Sequence, residues 1–151
     1  LKRRFASGGN ILLLFAWVVA LVYNIFYTLA MLYTNLNHIE RESEFNAILA
    51  ENENVVLICG RMGPVCIPIY RAAEELEAAY LHVKFFDLEY DNPESFFFHT
   101  RREVQDLAEH PFTIFYKNGR AVNAISGVQP KSLIKVLLDK EFSPVSASQI
   151  V

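Results

Sequence analysis

Two cysteines carry the chemistry this chain could do with sulfur. Cys59 and Cys66 close the stretch "CGRMGPVC", with six residues between them. A pair is too few for a disulfide framework; it allows one bridge, one redox pair or two buried thiols. Thiol exchange needs an exposed thiolate that attacks through a mixed disulfide, and a second thiol to resolve the product. Gly63-Pro64 lies beside Cys66, in the loop between the cysteines. The four histidines, His38, His82, His99 and His110, are scattered. They form no Cys/His cluster at metal-ligand spacing, so no metal is expected. Nothing in the sequence implies a cofactor.

The elements around the cysteines decide where the sulfurs point. "NVVLICG", 54–60, is a continuous apolar run of strand length, suited to the middle of a sheet. "PIYRAAEELEAAYL", 68–81, has Ile69, Ala72, Leu76 and Tyr80 at helical spacing. "VKFFDLEY", 83–90, reads as a second strand. The stretch 92–110 reads as a helix begun by Asp91 or Asn92 with Pro93 in its first turn. Residues 112–126 form a hairpin about Asn118-Gly119, and 130–142 a closing helix. Upstream, Phe45, Ile48 and Leu49 fall at i, i+3, i+4, so 38–52 reads as a helix, and a juxtamembrane helix is expected over 35–52. The body of the domain is 53–142, and 143–151 is a loose tail. Strand–helix–strand followed by a hairpin and a helix implies an α/β fold: a mixed central sheet with helices on both faces.

The 151 residues suit one ordinary domain, but they are 52% hydrophobic with net charge −3, and the mean hydropathy is +0.18. The excess lies in 11–34, "ILLLFAWVVALVYNIFYTLAMLYT", which no charge interrupts. At about 1.5 Å per residue it is long enough to cross a hydrocarbon core of about 30 Å. It exceeds the apolar core of a signal peptide, about 7–15 residues. A single transmembrane helix is therefore expected over 11–34, after a basic segment 1–10. Lys2, Arg3 and Arg4 precede the span, whereas Glu40, Glu42 and Glu44 follow it against a single Arg41. The positive-inside rule places the N-terminus in the cytoplasm and the domain on the other side, the periplasm in a bacterium. Ala16, Ala20, Asn24 and Thr28 recur every fourth residue and offer a small or polar stripe to a partner helix. Lys and Arg form no basic stripe, so nucleic acid is not expected as a partner.

The later half, "PFTIFYKNGRAVNAISGVQPKSLIKVLL", resembles the C-terminal half of a thioredoxin: a strand led by proline, a "KNG" turn, a return strand, a glycine and a last helix. The resemblance covers roughly 52–142 and implies the thioredoxin-like fold. Thr113 stands one residue further from the proline than in the family. The family's opening strand has no counterpart in this reading, since the membrane helix occupies its place. By resemblance, Pro111 corresponds to the proline that forms a cis peptide beside the redox site and shapes a groove for an extended substrate. The family's Cys-Gly-Pro-Cys loop opens the helix after the first central strand. One alignment puts Cys66 on the inner cysteine and Gly63 on the nucleophile, giving Gly63-Pro64-Val65-Cys66. The other matches Gly63-Pro64 to the family's Gly-Pro, with Met62 and Val65 in place of both cysteines. Either way the exposed nucleophile is missing. So is the family's buried acid, since the strand reads Val55, Val56, Leu57.

These departures favour a membrane-anchored thioredoxin-like subunit that docks in a membrane complex without catalysis. Phe96, Phe97 and Phe98 add to this, because three consecutive aromatics on one helix cannot all face one core, leaving a candidate partner contact. The alternative is an extracytoplasmic thiol–disulfide oxidoreductase using Cys59 and Cys66. A third reading is a peptide-binding module that uses the groove at Pro111 without redox chemistry.

Overall fold

The computed structural model describes residues 13–22, 34–61 and 63–143. The chain divides into two units, Leu1–Met31 and Leu32–Val151. In the first, residues 13–22 are helical (α1), and every large apolar side chain there is exposed, from Val22 at 45% to Trp17 at 74%. Among the described residues no helix is long and apolar enough to cross a membrane. Of the expected span, residues 11, 12 and 23–33 lie outside the described residues, as do segments 1–10 and 144–151.

The second unit runs β1 (Asn37–Ile39), α2 (Glu42–Glu51), β2 (Asn54–Gly60), α3 (Ile67–Ala79), β3 (Lys84–Glu89), α4 (Phe96–His99), β4 (Phe112–Lys117), β5 (Arg120–Ser126) and α5 (Lys131–Phe142). Single 3-10 turns occupy Pro64–Cys66, Pro93–Ser95 and Arg102–Val104. The sheet order is β1-β3-β2-β4-β5. β1, β3 and β2 are parallel, while β4 and β5 are antiparallel to their neighbours. The continuous apolar run of β2 is buried along its whole length, as a central strand covered on both faces must be.

Alternation along β2 divides the core. Val56 and Ile58 join Ile69, Tyr70, Leu76, Ile134 and Leu138 beneath α3 and α5. Val55, Leu57 and Cys59 join Phe45, Leu49, Phe98, Ile114 and Tyr116 beneath α2 and α4. The hairpin turns at Asn118 (φ 50°) and Gly119 (φ 75°), the positive dihedrals that a two-residue turn matched to strand twist requires.

Two expected helices are replaced. Residues 35–52 are not one helix: β1 comes first, parallel to β3, and supplies the opening strand missing from the sequence reading. Ile39, 1% exposed, packs in the cluster under α2 and α4, while His38 reaches Asp87 across the strand pair. The stretch 92–110 breaks into α4 between its two 3-10 turns. Asn92 does cap its start, accepting from the Glu94 N–H at 3.0 Å. Arg101, with extended backbone (φ −72°, ψ 139°), interrupts the helix. Its guanidinium lies 4.6 Å over the Phe45 ring and its Nε donates to Glu103 Oε1 at 2.6 Å.

Candidate functional site

The carboxyl ends of β2 and β3, the start of α3 and the start of β4 meet at one end of the sheet. β2 ends in Gly60, whose carbonyl accepts from the Tyr90 N–H at 2.8 Å. Beyond it the chain turns through Gly63 and the 3-10 turn Pro64–Cys66 into α3, with Cys66 at the helix boundary. Gly63 is half-buried, Pro64 and Val65 are exposed, and Met62 lies outside the described residues. Pro64 borders a surface cleft of about 770 Å³ with Ile67, Pro68, Val128 and Pro130.

Both cysteines are free and buried, and the structure does not bring them together. Cys59 alternates to the face beneath α2 and α4, whereas Cys66 packs beneath α3 and α5. The residue of β2 that faces Cys66 is Gly60: a Cβ there would lie 3.4 Å from Cys66 Sγ and 3.0 Å from Tyr70 Cζ, and would collide with the Tyr70 hydroxyl. Successive strand residues point to opposite faces, so a thiol at position 59 is one residue out of register for pairing with Cys66. Burial pushes the Cys59 thiol well up, which disfavours the thiolate that exchange requires.

A polar cluster that the sequence reading did not find lies on the same face as Cys66. Tyr70, 0% exposed, follows Cys66 by one helical turn, and its hydroxyl has no hydrogen-bond partner. Burial, then the neighbouring Cys66, pushes its pKa up, so it stays a phenol. Asp87, 1% exposed, stands on β3 level with Ile58 of β2 and His38 of β1. The Asp87 carboxylate takes the His38 Nδ1–H bond. The acid that the resemblance led one to look for is absent from β2, yet Asp87 is buried one strand over. Burial raises the Asp87 pKa against the opposing pull of His38, and the hydrogen bond to Asp87 raises that of His38. The available signal was a lone Asp in "FFDLEY", at an alternation position shared with buried Phe85.

The peptide His110–Pro111 is cis, and Pro111 is buried at the start of β4. The His110 ring packs on Tyr90 (4.1 Å between centroids, 64°) and on Phe112 (4.2 Å, 32°). Tyr90 stacks on His99 at 3.8 Å, and Arg61 lies 5.4 Å from its centroid while pairing with Asp91 at 3.1 Å. Burial, then the Arg61 charge, lowers the His110 pKa and keeps the imidazole neutral. Of the three phenylalanines, Phe98 is fully buried, Phe97 packs 5.6 Å from Phe45, and Phe96 stands 66% exposed. Ala16 and Ala20 lie on the exposed helix α1, whereas Asn24 and Thr28 fall outside the described residues. Among the described residues no group of three His, Cys, Asp or Glu side chains could hold a metal ion.

No protein-family model matches the chain, and no curated protein matches it. Solved structures do. A thioredoxin of Plasmodium falciparum aligns over 70% of this chain and 99% of its own, with TM-score 0.58 and 23% identity. Mitochondrial thioredoxin 3 of Saccharomyces cerevisiae, in its oxidised form, aligns over 69% and 94%, with TM-score 0.59 and 23% identity. Oxidised thioredoxin O2 of Arabidopsis thaliana aligns over 72% and 96%, with TM-score 0.61 and 19% identity. The second unit therefore has the thioredoxin fold.

Proposed function

We propose that this chain is a membrane-anchored thioredoxin-fold subunit that docks with another membrane protein and does not perform dithiol exchange. One observation carries the reading: Cys59 and Cys66 face opposite sides of the sheet, both buried and both free. Exchange without a resolving thiol ends in a mixed disulfide. The uncharged run 11–34 supports the anchor, and the stripe Ala16, Ala20, Asn24, Thr28 supports a helix partner within the bilayer. The exposed Phe96, its ring 5.4 Å from that of His99, supports a protein contact at the loop end of the sheet. The cations Lys2, Arg3 and Arg4 support a cytoplasmic N-terminus and an extracytoplasmic domain.

The test is a Cys59→Ser/Cys66→Ser double variant of the full chain. It should insert in the membrane and co-purify with the same partners as wild type. Loss of partners from a variant that remains folded and inserted would overturn the proposal. The second reading, an oxidoreductase using Cys59 and Cys66, draws on a fold shared with thioredoxins. It requires β2 to slip by one residue so that the sulfurs meet. Catalysed reduction of insulin by the wild-type chain, lost in either single Cys→Ser variant, would put it first.

A further inference from the structure

Two histidines pack on one tyrosine and tie down the segment that follows β3. Tyr90 stands at its start, with its N–H on the Gly60 carbonyl. His99, in its middle, lays its ring flat on the Tyr90 ring (3.8 Å between centroids, 14°) and donates from Nε2 to the Tyr90 carbonyl at 2.7 Å. His110, at its end, packs on Tyr90 and on Phe112. Between these rings the chain has no strand, only α4 and two 3-10 turns. Phe98 and Val104 are buried, and the Gly127 N–H donates to the Glu109 carbonyl at 2.9 Å. A stretch with so few repeating backbone bonds is the kind that opens locally at low cost.

His110 Nε2 is buried and has no hydrogen-bond partner. A neutral imidazole can leave one ring nitrogen without a proton, but an imidazolium carries an N–H on both. A proton taken up here would bury a charged donor with no acceptor. The groups that face the ring do not offset that cost. Arg61, from the loop after β2, is a second cation, and it already lies over the Tyr90 ring. Asp91, after β3, is committed to Arg61 at 3.1 Å. His99, on α4, spends its Nε2 on the Tyr90 carbonyl. The Cys59 thiol, level with Phe112 on the neighbouring strand, is kept neutral by burial. Glu109 turns its carboxylate to Gly127, 3.5 Å from where a Cβ would lie there. Burial, then Arg61, accordingly hold the His110 pKa below 6.5. The closed arrangement therefore loses stability as pH falls below 6.5 and through the folded value.

We propose that His110 is an acid-operated latch: when its imidazole takes a proton, its contacts with Tyr90 and Phe112 part and residues 91–111 open, while β2 and α3 stay folded. The exposed Phe96 lies in the segment that opens, so acid changes the surface offered at the loop end of the sheet. The latch belongs to the second unit alone and holds whether or not 11–34 spans a membrane.

The experiment is amide hydrogen exchange, read by mass spectrometry on the full chain in detergent at about pH 7 and about pH 5. Exchange times are matched to the intrinsic rates at each pH. In wild type, peptides within 91–111 should lose protection several-fold in acid, while those of β2 and α3 keep theirs. The His110 imidazole, followed by NMR in wild type, should titrate with the same midpoint as the opening. His110→Phe keeps a ring that takes no proton, and in that variant the segment should stay closed at both pH values. His99→Gln retains a donor for the Tyr90 carbonyl and should still open in acid. Unchanged protection of 91–111 in acidified wild type would overturn the latch, as would a loss spread equally over β2 and α3. So would a His110 midpoint that differs from that of opening, acid opening that persists in folded His110→Phe, or opening that only His99→Gln removes.

Discussion

At the last residue of β2 a side chain is excluded by what lies across from it. The Tyr70 hydroxyl occupies the place of a Cβ on Gly60, with Cys66 Sγ at 3.4 Å. Gly60→Ala should destabilise the domain by roughly 1–3 kcal/mol, the usual cost of overpacking. Tyr70→Phe removes a buried hydroxyl that has no partner, so stability should stay within about 0.5 kcal/mol of wild type or rise. On that background Gly60→Ala should cost less, and a double-mutant cycle in urea reads the coupling. An equal penalty on both backgrounds would show that Tyr70 is not the obstacle. Two histidines set a pH dependence. His38 is raised above the ordinary 6.5 by its bond to Asp87, so its contribution is complete below 6.5 and is lost as pH rises through its folded value. His110 is lowered from the same 6.5 by burial, so its penalty appears as pH falls below 6.5. Denaturant titrations should show His38→Gln flattening the alkaline fall in stability and His110→Gln easing the acid one. The reverse assignment would contradict both shifts. Sequence could not reveal these pairings, because His38 and Asp87 are 49 positions apart and only strand register joins them. That positions 62–65 carry no cysteine needed only the residue types there.

At the scale of elements, periodicity identified what a single run of side chains decides. β2 is apolar from Val55 to Cys59, α3 carries Ile69, Ala72 and Leu76 on its buried face, and the Asn-Gly turn declares its hairpin. It failed where two short elements share a run. In 35–52 the pattern Phe45, Ile48, Leu49 is truly helical, but β1 precedes it with three residues, too few to show a period of two. In 92–110 the segment is ordered by contacts with other elements. Arg101 is held by the Phe45 ring, and Glu103 Oε1 accepts from the Tyr116 hydroxyl at 2.9 Å as well as from Arg101. These donors hold the Glu103 carboxyl below the usual range despite the opposing effect of burial. Glu103→Ala strands the hydroxyl of Tyr116, itself 1% exposed, and should cost about 1–3 kcal/mol in urea unfolding. In the Tyr116→Phe background the same substitution should cost clearly less. An undiminished cost there would locate the effect in Arg101 alone.

The whole molecule joins an apolar, uncharged N-terminal stretch to a domain whose sulfur chemistry is divided by its own sheet. Oxidation tests the division. Copper–phenanthroline should leave both thiols of the native chain free by mass, and should join Cys59 to Cys66 only after the sheet is unfolded, because each sulfur sits in a different cluster. A bridge formed rapidly in the native state would mean that β2 shifts register in solution. Orientation is the second test at this scale. The cations before the apolar run are Lys2, Arg3 and Arg4, while three glutamates and one arginine follow it closely. Translocation follows the cations, because the positive flank is retained in the cytoplasm. Protease added to right-side-out spheroplasts of a bacterial host should therefore digest the domain while the cells stay intact. Replacing Lys2, Arg3 and Arg4 by Gln, with lysines placed at the exposed positions Glu40, Glu42 and Glu44, should invert the outcome and shield the domain. If wild type were protected in intact spheroplasts and digested only after lysis, the domain would lie in the cytoplasm, where any thiol partner would meet a reducing pool.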